Sequence, residues 1–319
     1  MVPSIDIVIV NWNAGPQLAH CLESIAATTR EALELQRIVV VDNGSSDGSL
    51  PTGDIAGLTL TTIRNARNRG FGAACNQGAR RSSANYLLFL NPDTLLLPGA
   101  LAEPVAFMDR PGNKRIGIVG IQLLDADGRI ARTCARFPTP GRFLSSMLGL
   151  DRALPAVFPP HFMVEWDHKE SREVDQVMGA FFLVRRSVFE ALGGFDERFF
   201  VYFEEVDVSL RARTLGWRTV YLSTAQAYHH GSGRVRKTMQ AIRLFYSLRS
   251  RILYSYKHFA VPTATFVTFC TLFLEPISRL VVALMRRSPS QVAETIKAYA
   301  LLWGAIPTRL GSARRAADA

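Results

Sequence analysis

The stretch "IDIVIVNWN" (residues 5–13) decides the fold class, because a short apolar run ends in polar residues and a turn. A run of this kind is typical of a strand that is buried on both faces of a sheet. The pattern returns in "RIVVVDNGSSDGS" (37–49) and "YLLFLNPDT" (86–94), while "QLAHCLESIAATT" (17–29) and "FGAACNQGARRSS" (71–83) have helical spacing. Strands that alternate with helices predict an α/β fold, with a mostly parallel sheet covered by helices on both faces.

Polar residues follow each of these strands, at Asn11–Asn13, Asp42–Asp47 and Asn91–Asp93. In parallel α/β sheets, ligands bind beyond the carboxyl ends of the strands, so we expect a binding site at this edge. The sequence has no GxxxxGK[ST] motif, which argues against a P-loop nucleotide hydrolase. The glycines of "NRGFGAACNQG" (68–78) do not follow the first strand, which argues against a dinucleotide-binding fold.

The chain has 319 residues, 48% of them hydrophobic and 20% charged, which predicts one large globular domain with an appendage, or two domains. Its four cysteines are widely separated and form no metal-binding spacing, so we expect free thiols in a reducing compartment. The first residues show no basic segment and no cleavage site, so we expect no signal peptide. The region 125–174 is rich in Pro, Arg and aromatic residues, which predicts irregular structure with a loop over the site.

The C-terminal part carries the positive charge. Residues 231–319 contain 14 Lys or Arg and 3 Asp or Glu, in a chain of net charge +10. This predicts a local cationic surface, for which nucleic acid and an anionic membrane are both candidate partners. "AIRLFYSLRSRILYSYKHFA" (241–260) has apolar residues at helical spacing, and Phe259–Leu274 then lacks charge over 16 residues. As a helix that stretch measures about 24 Å, less than the roughly 30 Å hydrocarbon core of a bilayer.

We interpret the C-terminal part as basic amphipathic helices that lie on a membrane, with one partly inserted hairpin as a variant. Two alternatives stay open. The apolar stretch could be a helix packed on the α/β domain, or it could be a single membrane span.

Three sets of polar residues at strand ends are candidates for chemistry. Asp42 could accept a hydrogen bond from a nucleobase or a ribose hydroxyl, or it could only form a turn. Asp93, two residues after Asn91, could hold a divalent cation that bridges diphosphate oxygens, or it could form an Asx turn. His229 and His230 could ligate a metal or stabilise a diphosphate leaving group, or they could be structural.

"FFVYFEEVDVSLRARTLGW" (199–217) places Glu204, Glu205 and Asp207 directly after aromatic residues. Acids at a helix start interact favourably with the helix dipole, and Asp207 could pair with Arg211 one turn later. Helix electrostatics does not explain the aromatic approach. An apolar surround raises the pKa of a general base toward the working pH, so one of these acids is a candidate base.

Taken together, these motifs resemble the inverting family 2 glycosyltransferases of the GT-A fold, and within them the bacterial branch that includes rhamnosyltransferases of cell-wall and surface-polysaccharide assembly. Six pieces in the family's order, over about residues 4–235, make the resemblance specific. The pieces are "IVIVNWNAG", "IVVVDNGSSDGS", "NRGFGAACNQGAR", "YLLFLNPDT", "GAFFLVRRSVFEALGGFDERFFVYFEEVDVSLRARTLGW" and "AYHHGSG". The resemblance implies a catalytic domain over 1–238, with a nucleotide-binding half of about 1–95 and an acceptor half of about 96–238. A helical membrane-associating region, 239–319, would follow.

The resemblance also implies which residues contact the nucleotide sugar: Asn11, Trp12, Asn13, Asp42, Asn43, Arg67, Asn68, Asn91 and Asp93. Asp93 would ligate a divalent metal, Mg²⁺ or Mn²⁺, and His229 or His230 would complete the metal or diphosphate contacts. Asn91 stands where many relatives have the first carboxylate of an Asp-x-Asp motif.

On the acceptor side, the resemblance implies Glu205 as the catalytic base, with Glu204 and Asp207 as alternates. Aspartate is commoner than glutamate at this position. Glu204 would also lie beside the acceptor, as would Met178, Gly179 and Ala180. Arg132 and Arg136 are candidates for contacts to diphosphate groups, and surface solvation is their alternative role.

The implied reaction moves L-rhamnose from dTDP-L-rhamnose to a polyprenyl-diphosphate-linked or polysaccharide acceptor, at the cytoplasmic face of the inner membrane and without a nucleic-acid partner. A UDP-hexose or UDP-galactofuranose donor is an alternative. A catalytically inactive sugar-nucleotide-binding scaffold is a second hypothesis, because Asn91 and Glu205 depart from the common pattern. A soluble nucleotidyltransferase would share the strand-end acids, but the basic glycine-rich loop expected near its first strand is missing.

Overall fold

The computed structural model of the protein describes residues 2–28, 31–50, 58, 60–231 and 239–305. Three features of the sequence lie outside these ranges: the last two residues of the "AYHHGSG" motif, the predicted domain boundary at 238/239, and the basic tail beyond residue 305.

In the described residues, nine strands form one sheet. Their bounds are Ser4–Asn11 (β1), Glu34–Asp42 (β2), Leu60–Arg64 (β3), Tyr86–Leu90 (β4), Thr94–Leu96 (β5), Ile116–Leu124 (β6), Arg172–Val174 (β7), Phe181–Arg185 (β8) and Arg218–His229 (β9). The order across the sheet is β3-β2-β1-β4-β8-β6-β9-β5, and β7 also pairs with β9.

The strands β1 to β4 pair in parallel, as the alternation of strands and helices predicts. β8 then joins β4 and β6 in antiparallel pairing, and β5 and β7 join β9 in the same way. The complete sheet is therefore mixed. In the parallel half, Asn11 stands opposite Asp42, so the polar ends of the first two strands meet at one edge.

Helices cover both faces of this sheet. Their bounds are Gln17–Ala27 (α1), Phe71–Ala79 (α2), Ala102–Asp109 (α3), Pro140–Met147 (α4), Leu150–Ala153 (α5), Arg186–Ala191 (α6) and Glu204–Thr214 (α7). Successive strand residues point to opposite faces, so Ile7 joins one hydrophobic cluster with α1 and α3, and Val8 joins another with α2, α6 and α7. The four cysteines are buried free thiols.

The chain divides into two compact units. The first, which holds the sheet, comprises Met1–Phe137, Phe162–Phe200 and Glu204–Gly233. The second comprises Pro138–His161, Val201–Phe203 and Arg234–Ala319.

The prediction of irregular structure over 125–174 is wrong in part, because this region contains α4, α5 and β7. α4 begins where the Thr139 side chain accepts a hydrogen bond from the Arg142 backbone N–H at 3.2 Å, with Pro140 at the first helical position. Such a cap and proline favour a helix start even in a short polar segment.

The second unit contains the C-terminal helices Gln240–His258 (α8), Val261–Phe269 (α9), Glu275–Met285 (α10) and Pro289–Ala305 (α11). A π-helical turn, Cys270–Leu274, joins α9 to α10. Val261–Met285 is therefore one helix of 25 residues with a mean hydropathy of 1.7, long and apolar enough to cross a membrane by length and composition.

This helix is longer than the uncharged stretch in the sequence because it does not end at Glu275. The Glu275 carboxylate is buried and accepts hydrogen bonds from the guanidinium groups of Arg279, at 2.7 and 2.9 Å, and Arg251. A carboxylate that is paired in this way can lie among apolar residues at a lower cost than an isolated charge.

Candidate active site

The nucleotide-side edge of the sheet is organised around Asn11 and Asp42. The Asn11 side-chain amide nitrogen lies 3.0 Å from Oδ1 of Asp42, 3.1 Å from Oγ of Ser45 and 2.9 Å from Oγ of Ser49. Asn13, which has a positive φ of 51°, accepts a hydrogen bond from the backbone of the same loop. The loop that follows β2 is therefore tied to the end of β1.

The Asn43 side chain is directed into the protein. Its oxygen accepts hydrogen bonds from the Asn65 side chain at 3.2 Å and the Arg69 backbone at 3.0 Å. Its nitrogen donates to the side chain of Asn68 at 2.9 Å and to the carbonyl of Gly70 at 3.2 Å. Asn43 and Asn68 hold the loops together, so any part that they play in nucleotide binding is to position other groups.

Trp12 and Arg67 are exposed at the same edge and are available to a ligand. Gly44 marks where the two loops approach most closely, because it has a φ of +81° and an added β-carbon would stand 3.0 Å from the Arg67 backbone. Ser45, Ser49 and Gly44 were not singled out from the sequence, although all three lie in the "DNGSSDGS" motif.

Strand pairing brings Asp93 and His229 together. Thr94, the first residue of β5, stands opposite His229 at the end of β9. Nε2 of His229 consequently lies 3.3 Å from Oδ1 of Asp93. His230 is exposed, its ring stacks on Tyr228, and only its backbone contacts Asp93, by an N–H to carbonyl hydrogen bond of 3.1 Å.

Asn91 connects this carboxylate to the segment predicted to lie beside the acceptor. Its backbone N–H donates to the carbonyl of Ala180 at 3.0 Å, and Oγ1 of Thr94 contacts the same carbonyl at 3.4 Å. Ala180 is buried, whereas Met178 and Gly179 before it are partly exposed. The structure therefore joins the Asn91–Asp93 turn to the segment that contacts Glu205.

Glu205 lies against this segment. An added β-carbon at Gly179 would stand 3.9 Å from its carboxyl carbon. The Glu205 side chain is partly exposed, but its Oε2 atom is buried and has no hydrogen-bond partner among the residues that the structure describes. Burial raises the pKa of the Glu205 carboxyl above that of an ordinary glutamate. This carboxyl can be reached by a ligand and binds protons more readily than one in water.

Glu204 has a different environment from its neighbour. It is only 5% exposed, and its Oε2 atom also has no partner within the described ranges. Burial, and then the charge of Glu205, raise the pKa of Glu204 well above its usual value. Burial and the charges of both glutamates also raise the pKa of the Cys75 thiol. Two carboxyl groups with raised pKa values therefore lie side by side, and Glu205 is the accessible one.

Asp207 is fully buried and accepts a hydrogen bond from Nε of Arg211 at 2.8 Å, one helical turn away. The terminal nitrogens of Arg211 donate to the carbonyls of Leu192 and Gly194. Asp207 is thus part of a buried ion pair that fastens α7 to the preceding loop. This role fits a structural residue better than a proton acceptor.

The two arginines proposed for diphosphate contacts are engaged with a neighbouring segment. Arg136 forms a salt bridge of 2.6 Å with Glu165, and Arg132 donates to the carbonyl of Val164. The region around them is anchored by His168, which is buried and accepts a hydrogen bond from the Cys134 backbone at 3.2 Å.

The residues around Asp93 fit a divalent cation that is shared with a substrate. Within the described part of the chain, no group of three or more His, Cys, Asp or Glu side chains could hold a metal. Asp93 and His229 offer one carboxylate oxygen and one imidazole nitrogen 3.3 Å apart. Magnesium in nucleotide sites is commonly held by one or two carboxylates, with substrate phosphates and water as the other ligands, so two protein ligands suffice.

A strand-end nucleotide edge, an Asp/His pair and a partly buried carboxylate on one α/β sheet define a group-transfer enzyme that uses a nucleotide-linked donor. Residues 6–193 match the family model of glycosyl transferase family 2. The match covers more than half of the chain, and the protein therefore belongs to this family and is a glycosyltransferase.

Similar proteins narrow the branch. The chain is 28% identical over 247 residues to N-acetylglucosaminyl-diphospho-decaprenol L-rhamnosyltransferase of Mycobacterium tuberculosis, which covers 72% of this chain and 77% of that protein. It is 29% identical over 154 residues to the rhamnosyltransferase WbbL of Escherichia coli, covering 47% and 54%. These relatives confirm the predicted rhamnosyltransferase-like branch.

Solved structures confirm the predicted GT-A fold. Mannosyltransferase PcManGT from Pyrobaculum calidifontis, in complex with GDP-Man and Mn²⁺, has a TM-score of 0.53 at 16% identity and covers 99% of this chain and 80% of its own. GalNAc-T7 with UDP, GalNAc and Mn²⁺ has a TM-score of 0.53 at 18% identity, covering 78% and 51%.

Proposed function

We propose that this glycosyltransferase is inverting and metal-dependent, and that it moves L-rhamnose from dTDP-L-rhamnose to a polyprenyl-diphosphate-linked glycan in cell-envelope assembly. The observation that carries the proposal is Glu205: an accessible carboxylate with a buried, unpartnered oxygen among the described residues, lying against Gly179. The names of the two rhamnosyltransferase relatives support the sugar, and that of the mycobacterial relative supports the lipid-linked acceptor.

The donor would bind along the nucleotide-side edge. Asp42 accepts from Asn11 through one oxygen, which leaves the carboxylate with acceptor capacity for a base or ribose group. Trp12 and Arg67 are exposed at the same edge. Asp93 and His229 would hold a divalent cation, Mg²⁺ or Mn²⁺. When bound, the cation supplies positive charge that stabilises the departing diphosphate.

Glu205 would act as the base. It accepts the proton of an acceptor hydroxyl, and the hydroxyl oxygen attacks the anomeric carbon from the side opposite the diphosphate. The bond between that carbon and the diphosphate oxygen breaks as the new glycosidic bond forms, so the anomeric configuration inverts. Because burial raises its pKa, Glu205 is a stronger base than a glutamate in water.

The catalytic domain over 1–238 would be held at the cytoplasmic face of the membrane by the helical region over 239–319. Apolar side chains along the helix Val261–Met285 are exposed, among them Phe266, Phe269, Phe273, Ile277 and Leu284. Arg286 and Arg287 follow directly and are exposed. Apolar side chains next to cations favour an anionic membrane surface.

Membrane binding can be tested by cell fractionation at high salt. We expect the intact protein in the membrane fraction and its F269D/F273D variant partly in the soluble fraction. Leu215 is an exposed apolar residue of the first unit, so Leu215→Asp is a matched control that should not change fractionation. An intact protein found entirely in the soluble fraction would contradict the proposal.

The reaction can be tested by a donor screen with metal titration. Purified protein is given dTDP-L-rhamnose, a UDP-hexose or UDP-galactofuranose, with a polyprenyl-diphosphate N-acetylglucosamine acceptor. We expect release of dTDP and a rhamnosylated product, abolished by a chelator and reduced about 10²- to 10⁴-fold by Glu205→Gln. Release of UDP instead would change the donor assignment. Donor binding without transfer from any donor would favour the inactive scaffold.

A further inference from the structure

The second unit contains a polar cavity of about 350 Å³ that has no part in the reaction as described above. The residues that line it are Tyr202, Gln240, Arg243, Leu244 and Ser247. Four of them lie on α8 at spacings of three, four and seven residues and therefore share one face of the helix. The volume is at the lower end of the range for ligand pockets, about 300–1,000 Å³, which suits a compact polar group.

Arg243 determines the chemistry of this cavity. Its Nε atom donates to the Tyr202 hydroxyl at 2.8 Å, which orients the guanidinium at the cavity wall. Its two terminal nitrogens have no protein acceptor among residues 2–28, 31–50, 58, 60–231 and 239–305. None of the five lining residues is acidic, and Gln240 and Ser247 add neutral donors. An oriented guanidinium without a carboxylate nearby is suited to bind phosphate oxygens.

Tyr202 connects the cavity to the catalytic helix along the chain, since it lies three residues before Glu205. Tyr202 and Phe203 both have left-handed backbones, with φ values of 68° and 72°. Non-glycine residues stay in this conformation only where their surroundings hold them. Here the second unit does so, because Ser250 donates to the carbonyl of Val201 at 2.9 Å and Arg243 holds the Tyr202 hydroxyl.

We propose that the cavity binds the diphosphate of the lipid-linked acceptor and that Arg243 determines specificity for a diphosphate-bearing acceptor. The inference rests on the proposed function, which supplies such an acceptor. The positive charge of residues 231–319 favours an anionic ligand in this unit. Arg132 and Arg136, the arginines singled out from the sequence, are already bonded to Val164 and Glu165. A phospholipid headgroup has the same phosphate chemistry, so the test separates the two sources.

The first experiment compares two acceptors in detergent micelles with the full chain and with Arg243→Gln. One acceptor is a short-chain polyprenyl-diphosphate N-acetylglucosamine, and the other is the same sugar as an alkyl glycoside without phosphate. We expect the variant to raise KM for the diphosphate acceptor about tenfold or more, as the loss of a charge-assisted contact implies. KM for the donor and for the alkyl glycoside should not change. An equal loss with both acceptors, or no loss with either, would overturn the proposal.

Two variants serve as controls. Arg286→Gln makes the same change of charge at an exposed position of the same unit and should leave the preference for the diphosphate acceptor intact. Tyr202→Phe removes the hydrogen bond but keeps the guanidinium, and it should retain most of the preference. A loss of preference in Arg286→Gln as large as in Arg243→Gln would mean that net charge, and not the cavity, recognises the acceptor.

A binding measurement keeps this inference separate from the proposed function. Geranyl diphosphate is titrated calorimetrically into the full chain, with the donor site saturated by a nucleoside diphosphate, and binding to phosphatidylglycerol vesicles is measured in parallel. Arg243→Gln should lose geranyl diphosphate binding and keep vesicle binding. The reverse pattern would assign the cavity to phospholipid headgroups and overturn the proposal. If no donor supports transfer while diphosphate binding still depends on Arg243, the proposed function fails and the cavity assignment stands.

Discussion

Glu205 lies against Gly179, and a β-carbon added at Gly179 would stand 3.9 Å from both the carboxyl carbon and Oε1 of Glu205. Gly179 is not among the glycines with a positive φ. Conformational freedom is therefore not the reason for a glycine at this position. The missing side chain instead leaves space in front of the carboxylate, where an acceptor hydroxyl must approach its base.

Substitutions at Gly179 should act on the acceptor and not on the fold. Gly179→Ala adds one carbon at ordinary contact distance from Glu205, so we expect native thermal stability and a modest rise in KM for the acceptor. Gly179→Leu should fill the space and abolish transfer, while binding of the donor nucleotide stays within about twofold of the original. Loss of nucleotide binding in Gly179→Leu would show that the residue does not belong to an acceptor site.

The activity should depend on pH through the raised pKa of Glu205. The base works only when deprotonated, so kcat/KM should fall as the pH falls through that pKa, which burial places above the ordinary glutamate value of about 4.3. The measurement is kcat/KM between pH 4.5 and 8.5, with circular dichroism on the same samples to exclude unfolding. In Glu205→Gln the residual activity should lose this acid limb. An unchanged acid limb in the variant would assign it to another group.

Glu204→Gln should stabilise the protein at neutral and alkaline pH. The pKa of the Glu204 carboxyl is raised in the folded state by burial and by the charge of Glu205. The stability that its proton supplies is complete below the ordinary glutamate pKa and is lost as the pH rises through the raised value. Glutamine mimics the protonated form at every pH, so its Tm should exceed that of the original by a few degrees at pH 8.

The advantage of Glu204→Gln should shrink to nothing near pH 4, where both proteins carry a neutral side chain. Thermal unfolding by circular dichroism across this range is the measurement. The matched control is Glu103→Gln on α3, an acid for which no such burial applies and for which a constant difference is expected. A Glu204→Gln variant less stable than the original at pH 8 would contradict this account.

Metal binding should depend on His229 and not on His230. The side chain of His229 lies 3.3 Å from Asp93, whereas the side chain of His230 stacks on Tyr228. With a nucleoside diphosphate present, Asp93→Asn and His229→Asn should weaken Mn²⁺ binding at least about tenfold, measured as free Mn²⁺ by electron paramagnetic resonance. His230→Asn is the matched control and should bind Mn²⁺ normally. A larger effect in His230→Asn would reverse the assignment.

Much of the fold could be predicted because its signals are local. The apolar runs that become β1, β2 and β4 have continuous hydrophobicity over a strand's length, and the helices between them have their own period. The helix α4 could not be predicted in the same way. It is short and lies in a Pro- and Arg-rich region, and only its Thr139 cap and Pro140 signal its start. The antiparallel strands β5 and β7 have three residues each, too few to show a period.

The candidate site was less predictable, because side-chain direction depends on distant partners. The sequence placed Asn43 and Asn68 on the nucleotide side as readily as Asp42, yet the structure turns their amides toward Asn65, Arg69 and one another. These hydrogen bonds join loops that are more than twenty residues apart in the chain. No spacing within one motif contains that information.

The sequence by itself determined the family, the α/β core and the short set of acids and histidines among which the chemistry must be sought, since each of these rests on local patterns and their order. Only the tertiary structure decided between neighbours. Glu204 and Glu205 are adjacent in the chain, but the packing of α7 buries the first and leaves the second partly exposed beside Gly179. The pairing of β5 with β9 likewise points His229, and not His230, at Asp93. Adjacent residues on a strand or helix face different directions, and long-range packing selects which direction meets the ligand.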